Sequence, residues 1–175
     1  MNFKVNKTVL ENGLNVLTVP MQSIPSITSL VMVKAGSRWE EEKRAGISHF
    51  LEHMVFKGTK KYPSHIALAS AVDSIGAEFN AFTSKEYTGF YVRGASSHLD
   101  LSLDVLSEMI WRPLIPSKDI KKEKPVIFEE INMRNDHPML KAEEEFECLL
   151  YGEKSLGRPI IGSRKTVGAI DRNDF

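Results

Sequence analysis

Apolar and polar positions along the chain follow two alternating rhythms, one of period two and one of helical period. Residues 8–19, TVLENGLNVLTV, place short β-rich runs on either side of Glu11-Asn12-Gly13. Asn-Gly is the pair that tight hairpin turns favour, so a hairpin is predicted. SITSLVMVKAG (26–36) is a second β-prone run ending at Gly36, and SRWEEEKR after it reads as a charged loop. A helix is predicted from about Ala45 to Phe56, stopped by Gly58. PSHIALASAVDSIG (63–76) opens on Pro-Ser, repeats apolar residues at helical spacing and closes on Gly76. The stretch 77–94, AEFNAFTSKEYTGFYVRG, reads as two strands joined near Ser84-Lys85, with Phe79, Phe82, Phe90 and Tyr91 as core and cross-strand residues. Further helices fit 97–111, a segment within 117–135, and about 138–151; the glycine-rich, basic tail reads as loop followed by the short start of another element. Strands and helices in mixed order with hairpin connections imply an α+β fold: a mostly antiparallel sheet packed by helices on one side.

One predicted helix carries chemistry. In His49-Phe50-Leu51-Glu52-His53 the two histidines lie four apart. That spacing leaves their side chains about 40° apart around a helix and one turn apart along it. Two imidazoles so placed can grip one tetrahedral metal ion, and Glu52 stands close enough to reach a water on it. The order, with the acid before the second histidine, is the inverted form of the zinc-protease motif. A catalytic zinc needs a third protein ligand and one open position. KKEKPVIFEEINM (121–133) offers Glu123 and Glu130, seven residues and two helical turns apart on one face, while Glu129 points elsewhere. Val126, Ile127, Phe128 and Ile131 suggest that this helix is buried, and a buried carboxylate needs a cation or donor. Pro125 lies between the two acids. The helix either bends and keeps both on one side, or restarts at the proline and swings Glu123 away.

Bulk properties narrow the alternatives. The chain of 175 residues is 42% hydrophobic and 26% charged, which suits a globular domain with a core of its own. Lys+Arg and Asp+Glu are both 23, so no net field favours nucleic acid or an anionic membrane. No stretch approaches the length of a membrane span. One cysteine, Cys148, allows no internal disulfide, and the amino terminus has no secretory apolar core, so a cytoplasmic location is the expectation. Cys148 among Phe146, Leu149 and Leu150, and Met109-Ile110-Trp111, read as core; Glu143, Glu144, Glu145 and Glu147 read as a solvated face. His65, His98 and His137 fall at helix starts or a turn and read as capping or solvated residues.

Several stretches in order, TVLENGLNV, VKAGSRWE, GISHFLEHMVFKGTKKYP, IGAEFNAFTSKEYTGFY, PSKDIKKEK, VIFEEINM and LGRPIIG, are similar to the amino-terminal part of the pitrilysin/insulinase/mitochondrial processing peptidase family of zinc metallopeptidases. That family pairs H-x-x-E-H with a glutamate ligand 77 positions after the second histidine, and position 130 here is glutamate. The resemblance implies that His49, His53 and Glu130 bind Zn2+, that Glu52 is the general base, and that Glu123 supports the site. It further implies that Asn80 and Ala81 line the cleavage site on a strand to which an extended peptide substrate adds. It implies subunits of two related halves enclosing a chamber. On that basis residues 1–175 are an amino-terminal catalytic metallopeptidase domain, incomplete at its C-terminal end and completed by a second half or subunit. Such a fragment is expected to cleave peptides weakly or not at all alone.

Two other classes compete. A non-catalytic partner subunit of a peptidase complex would typically lose part of the metal motif, which is whole here. An S-ribosylhomocysteine-lyase-like metalloenzyme uses a related inverted motif but takes a cysteine as third ligand, which would have to be Cys148.

Overall fold

A computed structural model describes residues 4–21, 23–152 and 154–175. The strands are β1 (Asn6–Val9), β2 (Asn15–Thr18), β3 (Ser26–Val33), β4 (Glu78–Thr83) and β5 (Thr88–Ala95). The helices are α1 (Ile47–Val55), α2 (His65–Asp73), α3 (Leu99–Trp111), α4 (Ser117–Asp136), α5 (Pro138–Tyr151) and α6 (Arg164–Ala169).

The expected α+β architecture is observed, with its strands divided between two antiparallel sheets. β1 and β2 form a hairpin around Gly13, which takes φ +85° at the turn. Among the described residues this hairpin pairs only with itself, and Val9, Leu14 and Leu17 stand in solvent. The second sheet has the order β3-β5-β4. Ala81 pairs with Phe90 and Asn80 with Tyr91, which sets β4 at an edge. One sheet face carries Phe90 and Val92 into the core, covered by α1, α2 and α3. The opposite face leaves Leu30, Met32 and Phe82 exposed. Helices therefore cover one side of the sheet, as the pattern implied.

α1 is the keystone between two apolar clusters. Phe50 and Met54, with no exposed surface, join Ile127 and Ile131 of α4 with Ile161, Val167 and Ile170 of the tail. Val55, on another face of α1, joins Leu68, Val72, Phe90, Val105 and Leu106. Burying a Phe or Met side chain stabilises by about 1.5–3 kcal/mol, so this short helix is fixed by packing on both flanks rather than by its own propensity.

Four expectations of burial are corrected. Trp111 is 66% exposed at the end of α3, where the helix leaves the core, while Met109 is buried. Phe146, Leu149 and Leu150 are exposed on the far side of α5, and Cys148 is only half-buried. Val126 is exposed, because α4 buries Ile127 and Ile131 against α1 and turns the neighbouring position outward. Phe82 is exposed over Gly89, whereas Phe79 stacks on Phe56. Among the described residues no helix is long and apolar enough to cross a membrane.

Candidate metal centre

The start of α1 is built for placement. Gly46 takes φ +94° at the helix entry, and a Cβ there would stand 2.6 Å from the Ile161 carbonyl oxygen. Only glycine fits on either count. The Glu40 carboxylate accepts from the backbone N–H groups of Gly46 at 2.7 Å and Ser48 at 2.8 Å. It thereby satisfies donors of the first turn and puts negative charge at the helix N-terminus. The buried Arg158 guanidinium donates to the Glu40 carbonyl oxygen at 2.6 Å, which ties the LGRPIIG segment to the same corner.

From α1, His49 and His53 present their rings edge to face, centroids 4.6 Å apart. Their Nε2 atoms are 3.4 Å apart. The Glu130 carboxylate of α4 completes the triangle, Oε1 at 3.5 Å from His49 Nε2 and Oε2 at 3.6 Å from His53 Nε2. A tetrahedral ion with nitrogen and oxygen ligands at about 2.0–2.1 Å holds its donors about 3.3 Å apart. The donor set and spacing fit such an ion. Two imidazoles and a carboxylate leave one tetrahedral position open. Among the described residues this is the one group of three or more His/Cys/Asp/Glu with donor atoms all within 4.8 Å of one another. Cys148 is not in it, so the cysteine ligand of the lyase-like alternative is missing.

The surroundings tune these groups. Pairing with the His49 and His53 rings, at 3.5 and 3.6 Å, holds the Glu130 carboxyl far below the usual carboxylate range despite partial burial. Burial works against a charged His53, but its bonds to Glu130 and Glu123 prevail and raise its pKa above the ordinary 6.5. Glu123, nearly buried, receives His53 Nδ1 at 3.0 Å on one oxygen and Lys57 Nζ at 2.6 Å on the other. Burial pushes its pKa up, and its bonds to Lys57 and His53 more than offset that, leaving it below the normal value. An ionised Glu123 can only accept, so in the neutral ring of His53 it is Nδ1 that carries the proton and Nε2 that has the lone pair free for a metal. His49 Nδ1 is buried and has no partner among the described residues.

α4 runs unbroken from Ser117 to Asp136 with Pro125 inside it. Of the two outcomes left open for the proline, the helix keeps Glu123 and Glu130 on one side, both reaching α1. Glu129 faces solvent and binds Asn132. Glu52, half-buried beside His53, accepts a short hydrogen bond from the Thr83 hydroxyl of β4. Ala81 shares the Thr83 face of that strand, which packs toward α1. Asn80 lies on the opposite face, and its Oδ1 accepts from the Ala81 N–H at 2.8 Å. His65, His98 and His137 sit at the starts of α2, α3 and α5, apart from the triangle. Sequence reasoning did not single out Glu40, Lys57 or Thr83. Lys57 carried a local signal, being one helical turn beyond His53.

Residues 15–164 match the family model described as Insulinase (Peptidase family M16). The chain belongs to the insulinase family. That match spans every residue of the triangle together with Glu52 and Glu123. Family relatives include an "uncharacterized zinc protease" of Streptomyces coelicolor, 39% identical over 95% of this chain and 36% of its own length. Another is a Bacillus subtilis protein of the same description, 36% identical over 95% of this chain and 41% of that one. Among solved structures, a protease from Helicobacter pylori superposes with a TM-score of 0.91 at 28% identity, over 98% of this chain and 42% of that one. The "peptidase M16 inactive domain" from Pseudomonas fluorescens shares the fold, with a TM-score of 0.88 at 19% identity over 97% and 41% of the two chains. The chain thus spans about two fifths of the length of these relatives and solved structures.

Proposed function

We propose that this chain is the metal-binding part of a zinc endopeptidase, with zinc held by His49, His53 and Glu130. The observation that carries the reading is the triangle of donors 3.4–3.6 Å apart, drawn from α1 and α4. The zinc-protease names of relatives from Streptomyces and Bacillus support the choice of metal, as does the mixed imidazole and carboxylate set. When bound, zinc supplies Lewis acidity at a peptide carbonyl and a lowered pKa for its water.

The chain's own groups then have distinct tasks. Glu52, oriented by Thr83, takes a proton from the attacking water and passes it to the departing amine. Glu123 keeps the His53 ring in one tautomer. β4 is an edge strand of its sheet, so an extended peptide can add to it through main-chain bonds. Ala81 is placed on the face toward α1, and Asn80 would contact the peptide from the strand's edge once it releases the Ala81 N–H. Residues 1–175 form the amino-terminal catalytic domain, and a second half or a separate subunit completes the substrate chamber. The exposed apolar residues Phe146, Leu149 and Leu150 of α5 agree with a missing cover.

Zinc titration of purified protein tests the assignment. Wild type and Cys148→Ser are expected to bind one equivalent tightly, and Glu130→Gln to lose that affinity. Unchanged binding by Glu130→Gln overturns the ligand set.

A further inference from the structure

The metal triangle is anchored unevenly. His49 has no partner on its outer nitrogen among the described residues, whereas His53 is held by Glu123. Glu123 is itself a liability. Its side chain is 10% exposed, and a buried ionised carboxylate without a cation is strongly destabilising. The cation that answers it is Lys57, whose side chain is 29% exposed and whose Nζ stands 2.6 Å from the oxygen that does not face His53. One carboxylate thus bridges an ammonium and an imidazole.

Lys57 is no free surface lysine. Its backbone N–H donates to the Met54 carbonyl at 3.1 Å at the end of α1. The next residue, Gly58, takes φ +132°, and a Cβ there would meet Pro63 and Ser64 backbone at 2.9 Å. The loop is then strapped to the end of α3. Leu114 N–H donates to the Gly58 carbonyl at 3.0 Å and Lys60 N–H to the Arg112 carbonyl at 3.1 Å. Buried Glu108 accepts the Lys61 N–H at 2.9 Å. The stem that presents the ammonium is therefore fixed from two sides.

We propose that Lys57 is a positioning residue of the metal centre: its ammonium holds the Glu123 carboxylate where it receives Nδ1–H of His53, which leaves Nε2 as the metal-facing lone pair of the neutral ring, beside Glu130 and His49. The proposal rests on the reading of the triangle as a zinc site. Losing such an outer partner costs metal affinity about 10–100-fold. Lysine and carboxylate act as one unit, so the two substitutions should not add.

The test is zinc affinity by competition against a chromophoric chelator, measured with the metal-free melting temperature on wild type, Lys57→Met, Lys57→Arg, Glu123→Gln and the Lys57→Met/Glu123→Gln pair. Lys57→Met is expected to weaken zinc about 10–100-fold while remaining folded. Lys57→Arg is expected to recover most of the loss, and the double variant to bind no worse than Glu123→Gln. Imidazole nitrogen NMR shifts of the metal-free chain, taken at a pH above the His53 titration where the ring is neutral, are expected to report a single His53 tautomer in wild type and a mixture in Lys57→Met. A purely structural Lys57 would lower the melting temperature and leave zinc affinity and tautomer unchanged; that result, or additive losses, overturns the proposal alone. A wild-type chain that takes up no zinc overturns the site reading and this proposal together.

Discussion

Replacing Glu40 by alanine is a stringent test of how the metal-bearing helix is held. The half-buried carboxylate accepts two backbone N–H groups, Gly46 at 2.7 Å and Ser48 at 2.8 Å, and no side chain at the N-cap position itself does so. Hydrogen bonds to a charged group contribute about 1.5–3 kcal/mol each. Water can partly replace them at this depth, so the pair together should be worth about 2–3 kcal/mol, at the upper end of a helix-cap loss. In a chain of this size that corresponds to a drop in melting temperature of about 5–10 °C. Glu40→Gln keeps one acceptor oxygen and should lose about half as much.

The assay is chemical denaturation followed by far-UV circular dichroism, with and without saturating zinc. The lost bonds lie at the helix entry, and Phe50 and Met54 continue to seat α1 in the core. Zinc should therefore raise the stability of wild type and Glu40→Ala equally, leaving the difference between them unchanged. A loss below about 0.5 kcal/mol, the scatter expected of an ordinary surface substitution, would refute the account of Glu40 as the cap of α1. So would a loss seen only in the zinc-loaded protein.

Other outcomes follow from the same geometry. In the metal-free chain, the raised His53 pKa contributes stability that is complete below its unfolded value of 6.5 and is lost as pH rises through the folded value. Zinc needs the neutral ring, so protons compete with it. The gap between zinc-loaded and metal-free melting temperatures should widen from about pH 6 to about pH 8, and a gap that narrows would be contrary to this sign. Phe50→Ala should cost about 3–5 kcal/mol, because its fully buried ring joins α1 to α4; an unfolding midpoint near wild type would show that the cluster collapses around the void. The isolated chain should turn over a quenched-fluorescence peptide slowly or not at all. Rapid hydrolysis, abolished by Glu52→Gln with zinc binding intact, would show that one half suffices.

The element order and the two histidines were legible because they are local: Asn12-Gly13 makes the hairpin turn, and a four-residue spacing puts His49 and His53 on one helical face. The helix with Glu123 and Glu130 on one face was a local candidate, but the choice of Glu130 as the metal-facing acid came only through the long spacing of a family resemblance, since no local pattern says which helix packs on α1. Glu40 and Thr83 were illegible for a related reason. Each is an ordinary polar residue whose role comes from partners brought by folding, Gly46 and Ser48 for one and Glu52 for the other. Periodicity also says which residues share a face but not what covers it, so Phe146, Leu149 and Trp111 read as core and stand in solvent.

Pro125 shows the same limit from the energetic side. Considered alone, a proline within a helix costs about 3 kcal/mol and argues for a break. In the folded chain, α4 buries Ile120 and Glu123 before the proline and Ile127 and Ile131 after it, and it draws further hold from the pairing of Glu123 with Lys57 and His53. A break would forfeit apolar burial on one flank, at about 25 cal/mol for each Å² exposed, and would leave the Glu123 carboxylate without its cations. The two flanks bind the same neighbour, α1, so continuity is the cheaper arrangement, and it is this continuity that lets one helix deliver both the carboxylate that completes the metal triangle and the one steadying His53.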